Sequence, residues 1–272
     1  MKLYLMTDLE GVAGVMYFEE WCSPGARYYE LAKEFLTMEV NAAVEGFFQG
    51  GVTEIMVADG HGPGAISPKL LDPRVELMRG WPMGWPVLLD DSYDAVAWVG
   101  QHAKAGTEYA HLAHTQSFNY LDLSVNGISI GEFGQFAMCA NELGVRAIFG
   151  AGDEAFTREA AALVPGIETV SVKRGTTPGK GDEMTTDPYR QRNTAAIHLH
   201  PDAACKRIRE GSNRAIQRAI KEDFGRIEMA APFERVCRFR ATADQPSTIA
   251  RESHPTSFIA LMNCPYDRKP ER

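Results

Sequence analysis

The chain has 272 residues, of which 44% are hydrophobic and 24% charged, and its formal net charge is −8. This composition is ordinary for a globular protein with a large core, and the acidic balance argues against nucleic acid or an acidic membrane surface as a partner. No apolar run approaches the ~20 residues of a membrane span, and Asp8 interrupts the N-terminus too early for the apolar region of a signal peptide. The five cysteines are scattered without C-x-x-C spacing, which predicts reduced thiols in a cytoplasmic protein.

The first eleven residues predict a buried strand that ends in two acidic residues. Residues 2–6 are mostly apolar, and the polar and small residues from Thr7 to Gly11 break this run. Side chains two apart on an extended chain point to the same face, so Asp8 and Glu10 are expected to converge. Ligands bind at the carboxyl ends of strands in open α/β sheets. Taken alone, these residues fit either an acidic turn or part of a metal site.

Helix and strand patterns alternate along the rest of the chain. Helices are predicted at residues 26–48, 131–143, 154–163 and 201–224. Short apolar runs predict strands at residues 54–58, 75–78, 95–99, 146–150, 168–172, 234–241 and 257–262. The dipeptide Asn126-Gly127 predicts a hairpin turn. This alternation predicts an α/β fold with a mixed, largely parallel sheet flanked by helices and a site at the strand carboxyl ends.

Predicted strand ends and one helix start carry five potential metal ligands, which are Asp8, Glu10, His61, His102 and Glu132. Imidazole and carboxylate ligands together suit Zn²⁺, with Mn²⁺ or Co²⁺ as alternatives. Three carboxylates balance two divalent ions and one bridging hydroxide, whereas with a single ion they leave the site net negative. We therefore expect two metal ions, with Asp8 as the carboxylate that bridges them.

Ordinary structural roles are the alternative for some of these residues. His102 follows a buried strand and fits a hydrogen-bonded core histidine. Glu132 fits an acid at a helix start, where the helix dipole favours negative charge. His61 lies between Gly60 and Gly62 and has no apolar face to pack against, which favours a ligand.

Five motifs occur in a fixed order, namely Asp8-Leu9-Glu10-Gly11, Asp59-Gly60-His61-Gly62, Gly100-Gln101-His102-Ala103, His114-Thr115 and Gly131-Glu132. Their order and intervals resemble the D-aminopeptidase family of dipeptide-transport operons, peptidase family M55, over residues 1–173. The resemblance implies a binuclear zinc metallopeptidase that releases N-terminal D-amino acids from short peptides such as D-Ala-D-Ala. It also implies a ring-shaped homo-oligomer, such as a decamer, whose sites face an internal channel.

The resemblance assigns the same five residues as metal ligands and makes His114 the catalytic histidine, acting as base, oxyanion stabiliser or nucleophile. His111, three residues earlier, competes for that role. The chain departs from the family pattern at residues 175–193, a longer and more polar stretch that leaves the choice of substrate open. The aromatic and proline-rich segment Trp81–Pro86 is a candidate contact surface between subunits.

The motifs also predict the domain organisation. Residues 1–272 are expected to form one α/β catalytic unit, in which residues 1–173 carry all of the motifs. Residues 174–272 are expected to form either a second lobe or an oligomerisation segment. Two other functions stay open, a binuclear amidohydrolase acting on a non-peptide amide or lactam and a non-catalytic ring-forming metalloprotein that tolerates loss of His114.

Overall fold

The structure of the protein is a computed structural model that describes residues 1–80 and 84–271. Residues 81–83 of the predicted contact segment Trp81–Pro86 lie outside the described residues. The strands are β1 (Lys2–Thr7), β2 (Glu54–Asp59), β3 (Glu76–Met78), β4 (Ala95–Gln101), β5 (Tyr120–Val125), β6 (Ile128–Ser129), β7 (Arg146–Asp153), β8 (Glu168–Gly175), β9 (Ala196–His198), β10 (Phe233–Phe239), β11 (Thr248–His254) and β12 (Lys269–Pro270). The helices are α1 (Phe18–Trp21), α2 (Tyr29–Gly50), α3 (Glu132–Glu142), α4 (Glu154–Leu163), α5 (Thr186–Arg192), α6 (Pro201–Ala219) and α7 (Phe258–Met262).

Seven strands form the main sheet in the order β3-β2-β1-β4-β7-β8-β9. The pairs from β3 to β8 are parallel, and β9 pairs antiparallel with β8. The strand order reverses direction between β1 and β4, which makes the gap between their carboxyl ends a topological switch point, where ligands bind in folds of this type. The prediction of an α/β fold with a largely parallel sheet is confirmed.

Helices cover both faces of the main sheet, so its central strands are buried on both sides. Alternate residues of β1 belong to two different cores: Leu3 and Leu5 pack beneath α2 and α6, whereas Tyr4 and Met6 pack beneath α3 and α4. This alternation follows from the two-residue period of a strand. Among the described residues, no helix is long and apolar enough to cross a membrane.

Five strands form a second, antiparallel sheet in the order β12-β11-β10-β5-β6. The hairpin between β5 and β6 turns at Asn126 and Gly127, which have φ angles of 50° and 80°, as the dipeptide predicts. Residues 174–272 contribute to both sheets, because β9 and α6 pack with the main sheet and β10 pairs with β5.

The strand predicted at residues 257–262 is wrong, since this segment forms α7. The Ser257 hydroxyl accepts a hydrogen bond from the N–H of Ala260 (3.0 Å), which caps the helix. The Glu142 carboxylate accepts the N–H groups of Phe258 and Ile259 at the same end. A short apolar run has no period that separates strand from helix, so the caps decided its conformation.

Candidate metal centre

The predicted site residues lie together at the carboxyl edge of the main sheet. Asp8 follows β1, His61 follows β2 and His102 follows β4, while Glu132 opens α3. His114 lies in the loop between β4 and β5. Because parallel strands end at the same edge, the sheet brings side chains that are far apart in sequence to the switch point between β1 and β4.

Asp8, Glu10 and His61 form the first ligand group. The Nδ1 atom of His61 lies 3.3 Å from Oδ1 of Asp8 and 3.2 Å from Oε2 of Glu10. The chain between the two acids is a turn rather than the extended strand expected from the sequence, since the N–H of Val12 donates to the carbonyl of Leu9 (3.2 Å). The turn still delivers both carboxylates to the same nitrogen.

His102, His114 and Glu132 form the second ligand group, with ligand atoms that lie within 4.8 Å of one another. Oε1 of Glu132 lies 3.5 Å from Nε2 of His102 and 3.9 Å from Nε2 of His114. The backbone N–H of Gln116 donates to the same oxygen (2.6 Å) and holds the Glu132 side chain in place. The structure therefore brings His114 next to the predicted ligands.

Asp8 connects the two groups. Its Oδ1 faces His61 of the first group (3.3 Å), and its Oδ2 faces Nε2 of His102 in the second group (3.2 Å). The backbone N–H of Leu9 donates to Oδ1 (2.8 Å), and the side-chain amide of Gln101 donates to Oδ2 (3.0 Å). These two hydrogen bonds orient the carboxylate with one oxygen toward each group.

Each of the three histidines in the ligand groups has one ring nitrogen next to a backbone carbonyl. A carbonyl can only accept a hydrogen bond, so this ring nitrogen is the donor. Nε2 of His61 donates to the carbonyl of Cys22 (2.7 Å), and Nδ1 of His102 donates to that of Ala103 (2.9 Å). Nδ1 of His114 donates to the carbonyl of Leu112. In the neutral ring the other nitrogen then presents its lone pair to the site, as metal-ligating histidines do.

The burial of Glu10 is a second reason why these residues fit metal ions. Glu10 is 1% exposed, and its Oε2 lies 3.2 Å from Nδ1 of His61. A buried carboxylate is costly unless positive charge accompanies it. Together with the imidazole nitrogens, this oxygen matches the nitrogen and oxygen ligands of zinc.

Close backbone contact at the strand ends explains two of the glycines in the motifs. Gly100 has a φ of +79°, and a Cβ atom there would lie 1.9 Å from the carbonyl oxygen of Asp8. A Cβ atom at Gly11 would lie 2.1 Å from the carbonyl oxygen of Gln101. Larger residues at either position would push the ends of β1 and β4 apart and separate the two ligand groups.

Burial and the attraction between neighbouring charges shift the pKa values of the site residues in opposite directions. Burial lowers the pKa of His61, but the carboxylates of Glu10 and Asp8 outweigh burial and raise it to about 11. Burial raises the pKa of Asp8, but His102 and His61 outweigh it and lower that pKa well below its usual range. The site therefore favours ionised carboxylates next to positive charge.

His114 is held between two flat rings. Its ring stacks on His102 with centroids 4.0 Å apart and on Phe118 with centroids 4.5 Å apart. Burial, followed by the charge of His102, lowers the pKa of His114, which favours the neutral imidazole. The hydroxyl of the neighbouring Thr115 accepts a hydrogen bond from the backbone N–H of Ala105 (3.1 Å), which fixes the loop between β4 and β5.

His111 lies outside both ligand groups. It is fully buried, its ring is 5.4 Å from that of His198, and neither of its ring nitrogens has a hydrogen-bond partner among the described residues. Burial, followed by the charge of Lys173, lowers the pKa of His111 to about 2. The structure therefore places this competitor away from the groups that include His114.

Sequence reasoning missed a second buried polar cluster, which we call the loop clamp and which consists of Glu39, Lys173 and His198. It holds three consecutive residues shortly after Glu10. Glu39 accepts the N–H of residue 13 (2.9 Å), His198 accepts that of residue 14 (3.0 Å), and Lys173 donates to the carbonyl of residue 15 (3.2 Å). The loop clamp fixes the turn that carries Glu10.

The fold and the site together define an α/β protein with two adjoining groups of candidate metal ligands at the switch point of its main sheet. Comparison with known proteins identifies the family to which it belongs. The family model described as D-aminopeptidase, peptidase family M55, matches residues 1–251. The chain belongs to this family.

A curated relative and a solved structure are similar to the chain. A D-aminopeptidase of Bacillus subtilis (strain 168) is 30% identical over 177 residues, which are 64% of this chain and 64% of that relative's own length. The solved structure of the Zn-dependent D-aminopeptidase DppA from Bacillus subtilis, described as a self-compartmentalizing protease, matches with a TM-score of 0.80 at 22% identity. This match covers 96% of the present chain and 94% of that chain. The family resemblance predicted from the five motifs is confirmed, and the description of the family agrees with the predicted class of hydrolase.

Proposed function

We propose that this protein is a binuclear zinc metallopeptidase that releases N-terminal D-amino acids from short peptides such as D-Ala-D-Ala. The observation that carries the proposal is the position of Asp8, whose two carboxylate oxygens face the histidines of two separate ligand groups. A carboxylate that bridges two metal ions ~3.5–4 Å apart is usual in binuclear hydrolytic sites. The relative named D-aminopeptidase and the zinc-dependent structural neighbour support the substrate and the metal.

The ligand groups suggest how the metals are held. Asp8, Glu10 and His61 would hold one ion, and Asp8, His102 and Glu132 would hold the other. When bound, two zinc ions supply Lewis-acid activation of the amide carbonyl and of water, and Mn²⁺ or Co²⁺ can supply similar chemistry. The chain contributes fixed histidine tautomers and an oriented bridging carboxylate, so little reorganisation is needed when the metals or the substrate bind.

His114 is the proposed catalytic residue. Its Nδ1 donates to the carbonyl of Leu112 (2.8 Å), so the lone pair of the neutral ring lies on Nε2. Nε2 lies 3.9 Å from Oε1 of Glu132, beside the site where the scissile amide would bind. At this atom the residue can hold a proton during attack on the amide and return it to the leaving amine. The stacked rings of His102 and Phe118 keep the imidazole in that orientation.

The proposal includes a ring-shaped homo-oligomer, such as a decamer, with its sites facing an internal channel. The structural neighbour is described as self-compartmentalizing, which supports this assembly. On α2, Leu31 and Met38 are exposed and lie seven residues apart on one helix face. The exposed Leu70 is adjacent, because its carbonyl accepts a hydrogen bond from Asn41 of α2 (2.8 Å). Light scattering should give a multiple of the 30.0 kDa chain mass, and a monomer at micromolar concentration would contradict the assembly.

The proposed partners are a short peptide and other copies of the chain, with neither nucleic acid nor membrane involved. The proposed location is the cytoplasm. All five cysteines are free thiols, which supports a reducing compartment.

A panel of D-Ala-D-Ala, L-Ala-L-Ala and a non-peptide acyl amide tests the proposed activity on zinc-reconstituted protein. We expect release of free D-alanine from the first substrate, with little turnover of the other two. Faster cleavage of the acyl amide would support the amidohydrolase alternative instead. A protein that binds its metals and cleaves no substrate would support the non-catalytic alternative.

A further inference from the structure

A cavity of about 230 Å³ adjoins the metal centre. Part of its lining comes from the site itself, namely Asp8, Gln101 and Glu132. The rest includes the aromatic side chains Trp85, Trp98 and Phe136, together with Met6 from β1. A molecule bound at the carboxylates of the metal centre can therefore extend directly into an aromatic pocket.

The aromatic part of the lining is held in place by contacts of its own. The ring of Phe136 packs against Trp85 with centroids 6.4 Å apart and against Trp98 with centroids 5.9 Å apart. The side-chain amide of Asn263 donates to the carbonyl of Trp85 (2.8 Å), which ties this wall to the end of α7. A pocket with fixed walls is ready for a ligand, as small-molecule sites commonly are.

The size and chemistry of the lining select among possible occupants. The charged residues in the described lining, Asp8 and Glu132, both belong to the metal centre. A carboxylate placed among the aromatic side chains would lose its water without gaining a cation from the described lining. A methyl group would leave most of the space unfilled, whereas an apolar cavity of about 150 Å³ already binds benzene. The cavity therefore fits a large apolar side chain.

We infer that this cavity is the subsite for the side chain of the substrate's N-terminal residue, and that it takes an aromatic or large aliphatic side chain in preference to the methyl group of alanine. This inference rests on the proposed function, because that function places the scissile carbonyl at the metal centre. The Cα atom of the N-terminal residue is bonded to that carbonyl carbon. Its side chain thus begins next to Asp8 and Glu132, where the cavity meets the metal centre.

Hydrolysis by the zinc-loaded protein gives the first test. The substrates are D-Phe-D-Ala, D-Leu-D-Ala, D-Ala-D-Ala and D-Ala-D-Phe. We expect kcat/KM for D-Phe-D-Ala to exceed that for D-Ala-D-Ala by roughly 10- to 200-fold, the discrimination typical of a hydrophobic pocket. Equal or faster cleavage of D-Ala-D-Ala would overturn the inference. A preference for D-Ala-D-Phe alone would overturn the assignment to the N-terminal residue.

Binding of the free amino acids gives a readout that does not depend on turnover. Isothermal titration calorimetry on the zinc-loaded protein should show D-phenylalanine binding at least about tenfold more tightly than D-alanine. If no peptide is hydrolysed, the proposed function fails while this comparison still decides the subsite. Equal affinities would refute the subsite even if the peptidase activity is real.

A matched pair of variants tests the lining. Trp85→Ala removes one wall and should lower the ratio of kcat/KM for D-Phe-D-Ala over D-Ala-D-Ala by about tenfold. Leu88→Ala changes a residue that is 54% exposed, lies in the same segment and is outside the lining, so the ratio should stay unchanged. If Trp85 had only a structural role, its loss would reduce both rates equally, and an unchanged ratio in Trp85→Ala would contradict the subsite.

Discussion

The metal centre and the loop clamp are two buried polar clusters near the same edge of the sheet. The charged forms of their side chains are stabilised in the metal centre and disfavoured in the loop clamp. In the metal centre, attraction between groups outweighs burial, so the pKa of Asp8 falls and that of His61 rises to about 11. In the loop clamp, burial dominates, raising the pKa of Glu39 to about 8 and lowering that of Lys173 to about 8. One cluster concentrates charge and the other approaches neutrality.

This difference distinguishes a site for ligands from a structural element. The loop clamp satisfies backbone groups of residues 13–15, and each of its members has such a partner. In the metal centre the carboxylates instead face a histidine nitrogen, since Oδ1 of Asp8 and Oε2 of Glu10 lie 3.3 Å and 3.2 Å from Nδ1 of His61. A buried polar cluster whose members bond to the backbone stabilises a fold, whereas converging carboxylates and imidazoles are the ligands that a divalent cation takes.

The largest expected effect separates catalysis from metal binding within the metal centre. His114→Ala should lower the rate of peptide hydrolysis by ~10²–10⁴-fold, the usual cost of losing a proton-transfer group. It should keep both zinc ions and its oligomeric state, because five other ligands remain. His111→Ala is the matched control, and its effect should be far milder because His111 lies outside both ligand groups.

Metal content and activity together decide the role of His114. Its Nε2 lies close enough to His102 and Glu132 to serve as a ligand of the second ion. Loss of about one zinc ion from His114→Ala would assign it that role and contradict the catalytic one. Full activity with every substrate would transfer the catalytic role to another residue, first to His111.

The next effect concerns the stability of the loop clamp. Lys173→Met removes the donor to the buried carbonyl of Val15. Leaving this carbonyl without its hydrogen bond should lower the free energy of unfolding by about 1–3 kcal/mol. The measurement is urea denaturation at neutral pH.

An exposed ion pair provides the control for this variant. Arg74 lies 2.7 Å from Asp72, and its side chain is 47% exposed. Arg74→Met should therefore cost only about 0–1 kcal/mol. Equal losses in the free energy of unfolding for the Lys173 and Arg74 variants would show that burial does not increase the contribution of Lys173 to stability.

The third effect is a change in how stability depends on pH. Burial raises the pKa of Glu39 from its ordinary 4.5 to about 8 in the folded protein, so the folded state binds more protons than the unfolded state between these values. The free energy of unfolding should therefore fall as pH rises from about 4.5 to about 8.

Glu39→Gln isolates this contribution, because glutamine does not titrate and still accepts the N–H of Ala13. Denaturation curves at about pH 5 and about pH 8 should show a smaller fall in stability for the variant than for the unmodified chain. Zinc content should stay the same in both. An identical fall in both proteins would mean that Glu39 is ionised throughout this range.

The residues that the sequence singled out share a local signal. Asp8, His61 and His102 each follow a short apolar run, and parallel strands carry all three to one edge. The sequence also predicted the hairpin at Asn126-Gly127, because that dipeptide favours positive φ at both positions. These features were predictable because each depends on neighbouring residues or on the rule that parallel strands end at one edge.

The features that the sequence did not predict depend on contacts between distant residues. Glu39 lies in the middle of α2 and gives no sign that it meets the turn after Glu10. Gln101 was noted only as a neighbour of His102, although its amide orients Asp8. The strand predicted at residues 257–262 failed because Glu142, more than a hundred residues away, helps to cap α7.

The most direct test of the central claim is the zinc content of purified, zinc-reconstituted protein. Elemental analysis should find about two zinc ions per chain in the unmodified protein, because Asp8 serves two ligand groups. Asp8→Ala should lose more metal than a variant of any other ligand, since it removes the shared carboxylate, while Glu39→Gln should retain both ions. A single tightly bound ion per chain, or an Asp8→Ala variant that keeps two, would contradict the binuclear centre.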